Sequence, residues 1–187
     1  MPYLVMLFAL ALVPYTASSA PATYTVDPAH TFPYFEISHL GFSTVRGRFN
    51  STEGKITLDQ TNKTGSVDIV INANSVDTAY AKRDDHLRSP DFLNAAEFPN
   101  ITYKSTKVVI DGGSAKVDGN LTISGVTKPV ALDVKRFNCG TNPMSKKEMC
   151  GFDAVATIKR SDFGVKFGLP AIGDEMRILL NVEAYKD

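Results

Sequence analysis

The strongest constraint on this chain is a two-residue rhythm that recurs along most of its length. Phe35, Ile37 and His39 alternate with Glu36 and Ser38, and Val45, Gly47 and Phe49 alternate with Arg46 and Arg48. Ile56 and Leu58 sit among Lys55, Thr57 and Asp59, and Val67, Ile69 and Ile71 run beside Asp68 and Asn72. Successive side chains of a strand point to opposite faces, so each run reads as a half-buried strand. Further strands are predicted at 24–26, 101–103, 107–110, 115–124, 130–137, 154–158 and 177–184. Asp111-Gly112-Gly113 marks a tight hairpin, because glycine accepts the positive φ such turns demand. Gly119 inside a strand predicts a bulge or a close approach. Many short strands with regular turns give a sandwich or a barrel, and alternation alone does not choose between them.

One stretch breaks the rhythm. From 77 to 98 the β-branched residues nearly vanish. Asp77 or Thr78 can cap a short helix running through Leu87, and Ser89-Pro90-Asp91 resembles a second helix start.

The 187 residues suffice for one domain, predicted over 21–187. Lys+Arg and Asp+Glu both number 20, so no basic excess exists to neutralise phosphates and nucleic-acid binding is not expected. Residues 1–20 join an apolar run to Pro14 and a cluster of small residues, the form of a secretory signal cleaved after Ala20 or Ala22. The run is too short to span a membrane, which takes about 20 apolar residues. No basic residue precedes it, and a buried N-terminal helix is the alternative. Cys139 and Cys150 lack a metal-type CxxC partner; export favours a disulfide between them, with two free thiols as the alternative.

A series of strings stands out in order along the chain. The first are Tyr24-Thr25-Val26-Asp27-Pro28-Ala29-His30, Phe35-Glu36-Ile37-Ser38-His39-Leu40-Gly41, Val45-Arg46-Gly47-Arg48-Phe49 and Ser75-Val76-Asp77-Thr78. Arg83-Asp84-Asp85-His86-Leu87-Arg88-Ser89-Pro90-Asp91-Phe92, Phe98-Pro99-Asn100-Ile101-Thr102-Tyr103-Lys104-Ser105-Thr106, Gly119-Asn120-Leu121-Thr122-Ile123-Ser124-Gly125-Val126-Thr127-Lys128-Pro129-Val130 and Ile158-Lys159-Arg160-Ser161-Asp162-Phe163-Gly164 follow. Together these strings resemble the YceI-like polyisoprenoid-binding family. The resemblance implies an all-β, lipocalin-like antiparallel barrel of about eight strands with a short helical insertion. It also implies a periplasmic location, a long isoprenoid lipid such as a quinone in the interior, and dimers as an option. The loop from Cys139 to Cys150 is similar to that of periplasmic members with a disulfide.

A prenyl tail carries no hydrogen-bonding groups, so its site needs a dry tunnel of aromatic and branched side chains. The expected lining is Phe35, Ile37, Phe42, Val45, Phe49, Val67, Ile69, Leu87, Phe92, Leu93, Phe98, Ile101, Tyr103 and Phe163, each of which could equally be plain core. Arg83, Asp84 and His86 are head-group candidates, against an exposed helix end with local ion pairs. A rigid, stress-related interaction scaffold with a packed interior is the alternative to a lipid carrier. Catalysis is not expected. His30, His39 and His86 lack the helical i, i+4 spacing of a zinc helix, and no GxSxG elbow or glycine-rich phosphate loop occurs. Neither a metal nor a resident cofactor is expected.

Overall fold

The computed structural model describes residues 20–187; the predicted signal segment lies almost wholly outside them. Among the described residues eleven strands form: β1 (Ala22–Val26), β2 (Phe32–His39), β3 (Ser43–Phe49), β4 (Thr52–Asp59), β5 (Thr64–Asn72), β6 (Val76–Asp77), β7 (Asn100–Asp111), β8 (Ser114–Ile123), β9 (Val126–Thr141), β10 (Glu148–Lys159) and β11 (Ile172–Lys186). One helix, α1 (Ala81–Arg88), lies between β6 and β7. Every pairing is antiparallel, and β1 bonds both β4 and β11. That closes β1, β4, β5, β7, β8, β9, β10 and β11 into a ring, which settles the choice between sandwich and barrel. The remaining strands continue staves of the ring past a kink. β2 follows β1 along β11, β3 leads into β4 beside β2, and β6 extends β5 alongside β3.

The kink between β1 and β2 has a local cause. There the ladder is interrupted opposite Glu183; its carbonyl keeps a bond from the Asp27 N–H at 2.8 Å, and Thr31 engages both its N–H and its carbonyl. The Thr31 hydroxyl accepts from the Glu183 N–H and donates to the Glu183 carbonyl, both at 3.1 Å. A ladder group left unpaired there would cost a full desolvation penalty, so a buried threonine is an effective repair. At Gly47 the β3 backbone passes so close to Phe35 that an added Cβ would lie 2.3 Å from the ring. Gly119 likewise faces the Tyr103 ring at 2.5 Å; it marks a close approach, while the bulge lies across from it, between Ser105 and Lys107.

The two ends of the barrel differ. At the lower end Cys139 and Cys150 face each other across β9 and β10 and form a disulfide. Cys150 and Ala184 are fully buried there beside Tyr24, and the Phe137 and Phe152 rings stack just above at 5.7 Å. At the upper end lie the β2–β3 turn, the segment 78–99 with α1, the β8–β9 turn and the loop 164–171. The insertion is tied down by Ser124, whose hydroxyl donates to the Leu93 carbonyl, and by Arg88, which donates to the Asn74 carbonyl. Helix α1 starts at Ala81, later than a cap at Asp77 or Thr78 implies. Asp77 instead accepts from the Ala79 N–H, and Thr78 donates to Asp84 inside the helix. No second helix follows Ser89; the segment turns, with Asn94 at positive φ.

Candidate functional site

The inward face of the ring encloses a cavity of about 640 Å³, within the range of sites for small molecules. Its wall is almost entirely carbon because the β rhythm turns one residue in two inward: Ile178, Leu180 and Val182 on β11, Ala154, Ala156 and Ile158 on β10, Val130, Leu132 and Val134 on β9. The small side chains Ala154 and Ala156 leave space that larger residues would fill. Toward the disulfide the lining stops at Phe137 and Phe152, next to the buried Cys150 and Ala184. Toward the upper end the lining includes the exposed residues Ser43, His86 and Phe167, which mark the mouth.

Three rings bracket that mouth. His86 meets Phe92 edge-on at 5.0 Å and Phe167 at 5.0 Å, and Phe92 lies 5.3 Å from Phe167. The cluster joins the insertion to the loop after β10. His86 is oriented by Asp91, 2.9 Å from its Nε2. Arg83 also lines the cavity and is aimed by Thr78, donating from Nε to the hydroxyl at 2.7 Å and from a terminal nitrogen to the carbonyl at 2.6 Å. It has no carboxylate partner among the described residues. Arg160, buried on the wall, donates to the carbonyls of Val165, Ile172 and Gly173 and so fastens both ends of the mouth loop. Among the described residues the lining includes no aspartate or glutamate, and its formal charge is positive. One polar atom faces the interior unmatched: the Thr52 hydroxyl is buried without a hydrogen-bond partner.

Of the residues expected to line a tunnel, Phe35, Ile37, Val45, Phe49, Val67, Ile69, Leu87, Phe92, Leu93, Ile101, Tyr103 and Phe163 do face the cavity. Two do not. Phe42 follows Leu40 and Gly41, both at positive φ, on a turn that carries its ring out into solvent. Phe98 is diverted sideways, packing over the bare Cα of Gly125. Of the head-group candidates Arg83 and His86 reach the wall, but Asp84 does not; its carboxylate turns inward to accept from the Thr78 N–H and hydroxyl. Thr52, Arg160 and Phe167 were missed. Phe167 lies in a loop without periodicity, whereas β11's alternation could have supplied Ile178, Leu180 and Val182.

The histidines are dispersed. His39 lines the upper wall and His86 the mouth, while His30 lies outside on the β1–β2 kink. There His30 Nδ1 stands 2.7 Å from Asp27 and 4.0 Å from Glu183, close enough for the three to share an ion. The bonded Asp27 carboxylate, with Glu183 behind it, raises the imidazole above its ordinary ionisation, and Asp27 is lowered in turn. Tyr103, deep in the barrel, donates to the Val117 and Val130 carbonyls, and burial pushes its phenol far up.

This closed barrel with a capped apolar interior has relatives in both sequence and structure. The model of the YceI-like domain matches residues 24–184. The chain belongs to the YceI-like family. A UPF0312 protein of Pseudomonas paraeruginosa is 44% identical over 176 residues, covering 92% of each chain. Protein YceI of Salmonella arizonae is 42% identical over 180 residues, covering 94% of each. Among solved structures, Burkholderia cenocepacia BcnA superposes on this YceI-like barrel with a TM-score of 0.74 at 25% identity, over 85% of this chain and 99% of that one. A Campylobacter jejuni YceI protein gives 0.70 at 30% identity, over 81% and 90%. A polyisoprenoid-binding domain from Saccharophagus degradans shares the fold, with a TM-score of 0.64 at 17% identity over 89% and 99%.

Proposed function

We propose that the chain binds one long prenyl lipid, tail inward, and serves as a periplasmic carrier or reservoir and not as an enzyme. The observation that carries this reading is the apolar cavity whose lining ends short of the disulfide and reaches exposed residues at the opposite end. A scaffold with a packed interior would have no reason to leave that volume empty, since unfilled space forfeits dispersion contacts. The same fold occurs in a polyisoprenoid-binding domain from Saccharophagus degradans, which supports this reading. The disulfide suits an oxidising compartment. No helix among the described residues is long and apolar enough to cross a membrane.

Burial gives about 0.8 kcal/mol per CH₂ against water, so twenty tail carbons would give a gross of about 16 kcal/mol. Chain ordering and loss of free motion offset much of that gross, so the net affinity is well below it. Against a bilayer, which is as apolar as the barrel, transfer is close to neutral, and that suits exchange better than permanent capture. At the mouth Arg83 and His86 supply donors to the head group. The absence of lining carboxylates favours an acidic head such as a phosphate over a neutral quinone ring.

Native mass spectrometry with added prenyl alcohols and prenyl phosphates tests the reading. One lipid per chain is expected, with the phosphate retained better. Ala156→Phe, which places a ring in the cavity, should abolish the adduct while circular dichroism stays unchanged. Retention of the lipid by that variant would place the ligand elsewhere.

A further inference from the structure

Six large apolar side chains stand exposed among the described residues: Leu40 at 52%, Phe42 at 92%, Tyr80 at 57%, Phe167 at 47%, Val109 and Met144. Singly exposed apolar residues need no explanation. Their distribution here does. Leu40 and Phe42 lie on the β2–β3 turn, Tyr80 immediately before α1, and Phe167 on the loop after β10, three separate segments at the mouth end. Only Val109 and Met144 lie toward the disulfide end. The β2–β3 turn projects: a Cβ added at Gly41 meets nothing within 4 Å.

Cations stand among these residues. Lys82 follows Tyr80 by two residues and Lys166 precedes Phe167; both are exposed and neither has a carboxylate partner among the described residues. Of the nearby carboxylates, Asp85 and Asp91 are engaged by Arg88 and His86, while Asp162, four residues before Lys166, is exposed. Aromatic side chains interleaved with lysines around one face are what settles at the head-group level of a bilayer, rings toward the acyl boundary and ammonium groups toward phosphates.

We propose that the mouth end of the barrel docks on a lipid bilayer, with Leu40 and Phe42 entering the interface, so that a prenyl tail passes between membrane and cavity without crossing water. This rests on the lipid-binding reading and adds its partner surface. The occupant is the bilayer: the cavity that the rim surrounds would take a ligand whose reservoir is the membrane, and Lys82 and Lys166 complement anionic head groups.

Flotation of the purified chain with vesicles of phosphatidylethanolamine and phosphatidylglycerol tests the proposal. The chain should float with them. Phe42→Ser should weaken the association by about tenfold, the scale of losing one buried aromatic side chain, and Leu40→Ser with Phe42→Ser should abolish it. Met144→Ser should float like the unaltered chain. Leu40 and Phe42 do not line the cavity, so loading of a prenyl phosphate from detergent micelles, read by native mass spectrometry, should survive both changes. Equal flotation of Phe42→Ser and the unaltered chain overturns the proposal. So does a chain that loads from micelles but never floats, an outcome that leaves lipid binding itself standing. Failure to load from micelles removes the lipid-binding reading and this one with it. A dimer that Phe42→Ser dissociates, without vesicle association, assigns the rim to a second copy and also overturns the proposal.

Discussion

Thr52 shows how a single atom reports on purpose. Its hydroxyl is buried on the cavity wall with no partner, an arrangement that costs about 1–3 kcal/mol in a protein interior. Thr52→Val keeps the shape and removes the orphan. Urea unfolding of the empty protein should show a gain of about 1 kcal/mol. An unchanged midpoint would mean that water already satisfies the hydroxyl. The Asp27–His30 pair makes a second residue-scale prediction. His30 titrates higher in the folded protein, so its contribution is whole below about pH 6.5 and fades as pH rises through the raised value. Asp27 titrates lower, so its contribution is whole above about pH 4 and fades as pH falls. The stability gap between the unaltered chain and His30→Gln should therefore be widest between those limits and narrow at pH 9. A gap independent of pH would show that the pair's charges do not stabilise the fold.

At the scale of elements, the insertion between β6 and β7 decides what the barrel can admit. It is held to the ring by few bonds, and one of its anchors is internal: buried Asp84 accepts from Thr78, and Thr78 in turn positions Arg83. Asp84→Ala should cost about 2 kcal/mol, since the lost bonds run to a charged acceptor. It should also accelerate hydrogen exchange selectively across 78–99. Uniform exchange would show that the insertion is not a separately opening unit. The strands that build the cavity wall were legible in the sequence because their period of two is a direct image of inside and outside. The insertion was legible as an interruption with one helix; the second helix start expected at Ser89 does not form, and the anchors were not legible. A carboxylate beside Arg83 and His86 reads equally as a ligand contact or as part of a local ion pair at a helix end, and only the fold shows that Asp84 faces Thr78. Phe42 and Phe98 failed for a related reason. Composition gives a phenylalanine's preference for burial, whereas the positive φ at Leu40 and Gly41 and the bare surface of Gly125 decide where each ring goes.

For the whole molecule, closure is the governing fact. Pairing β1 with both β4 and β11 removes free edges from the ring, and Cys150, Tyr24 and Ala184 are buried together at one end. Alternation in the sequence could not select barrel over sandwich; that depends on long-range register between the two ends of the chain, which no local pattern encodes. Cavity volume was equally illegible, because it is a small difference between ring circumference and summed side-chain size. What the barrel is for therefore depends on whether that volume is occupied in life. Isolating the protein under native conditions from the envelope of cells that make it, extracting it with organic solvent and weighing the extract by mass spectrometry tests this most directly. Close to one prenyl lipid per chain is the predicted result. Protein that comes away without hydrocarbon would contradict it.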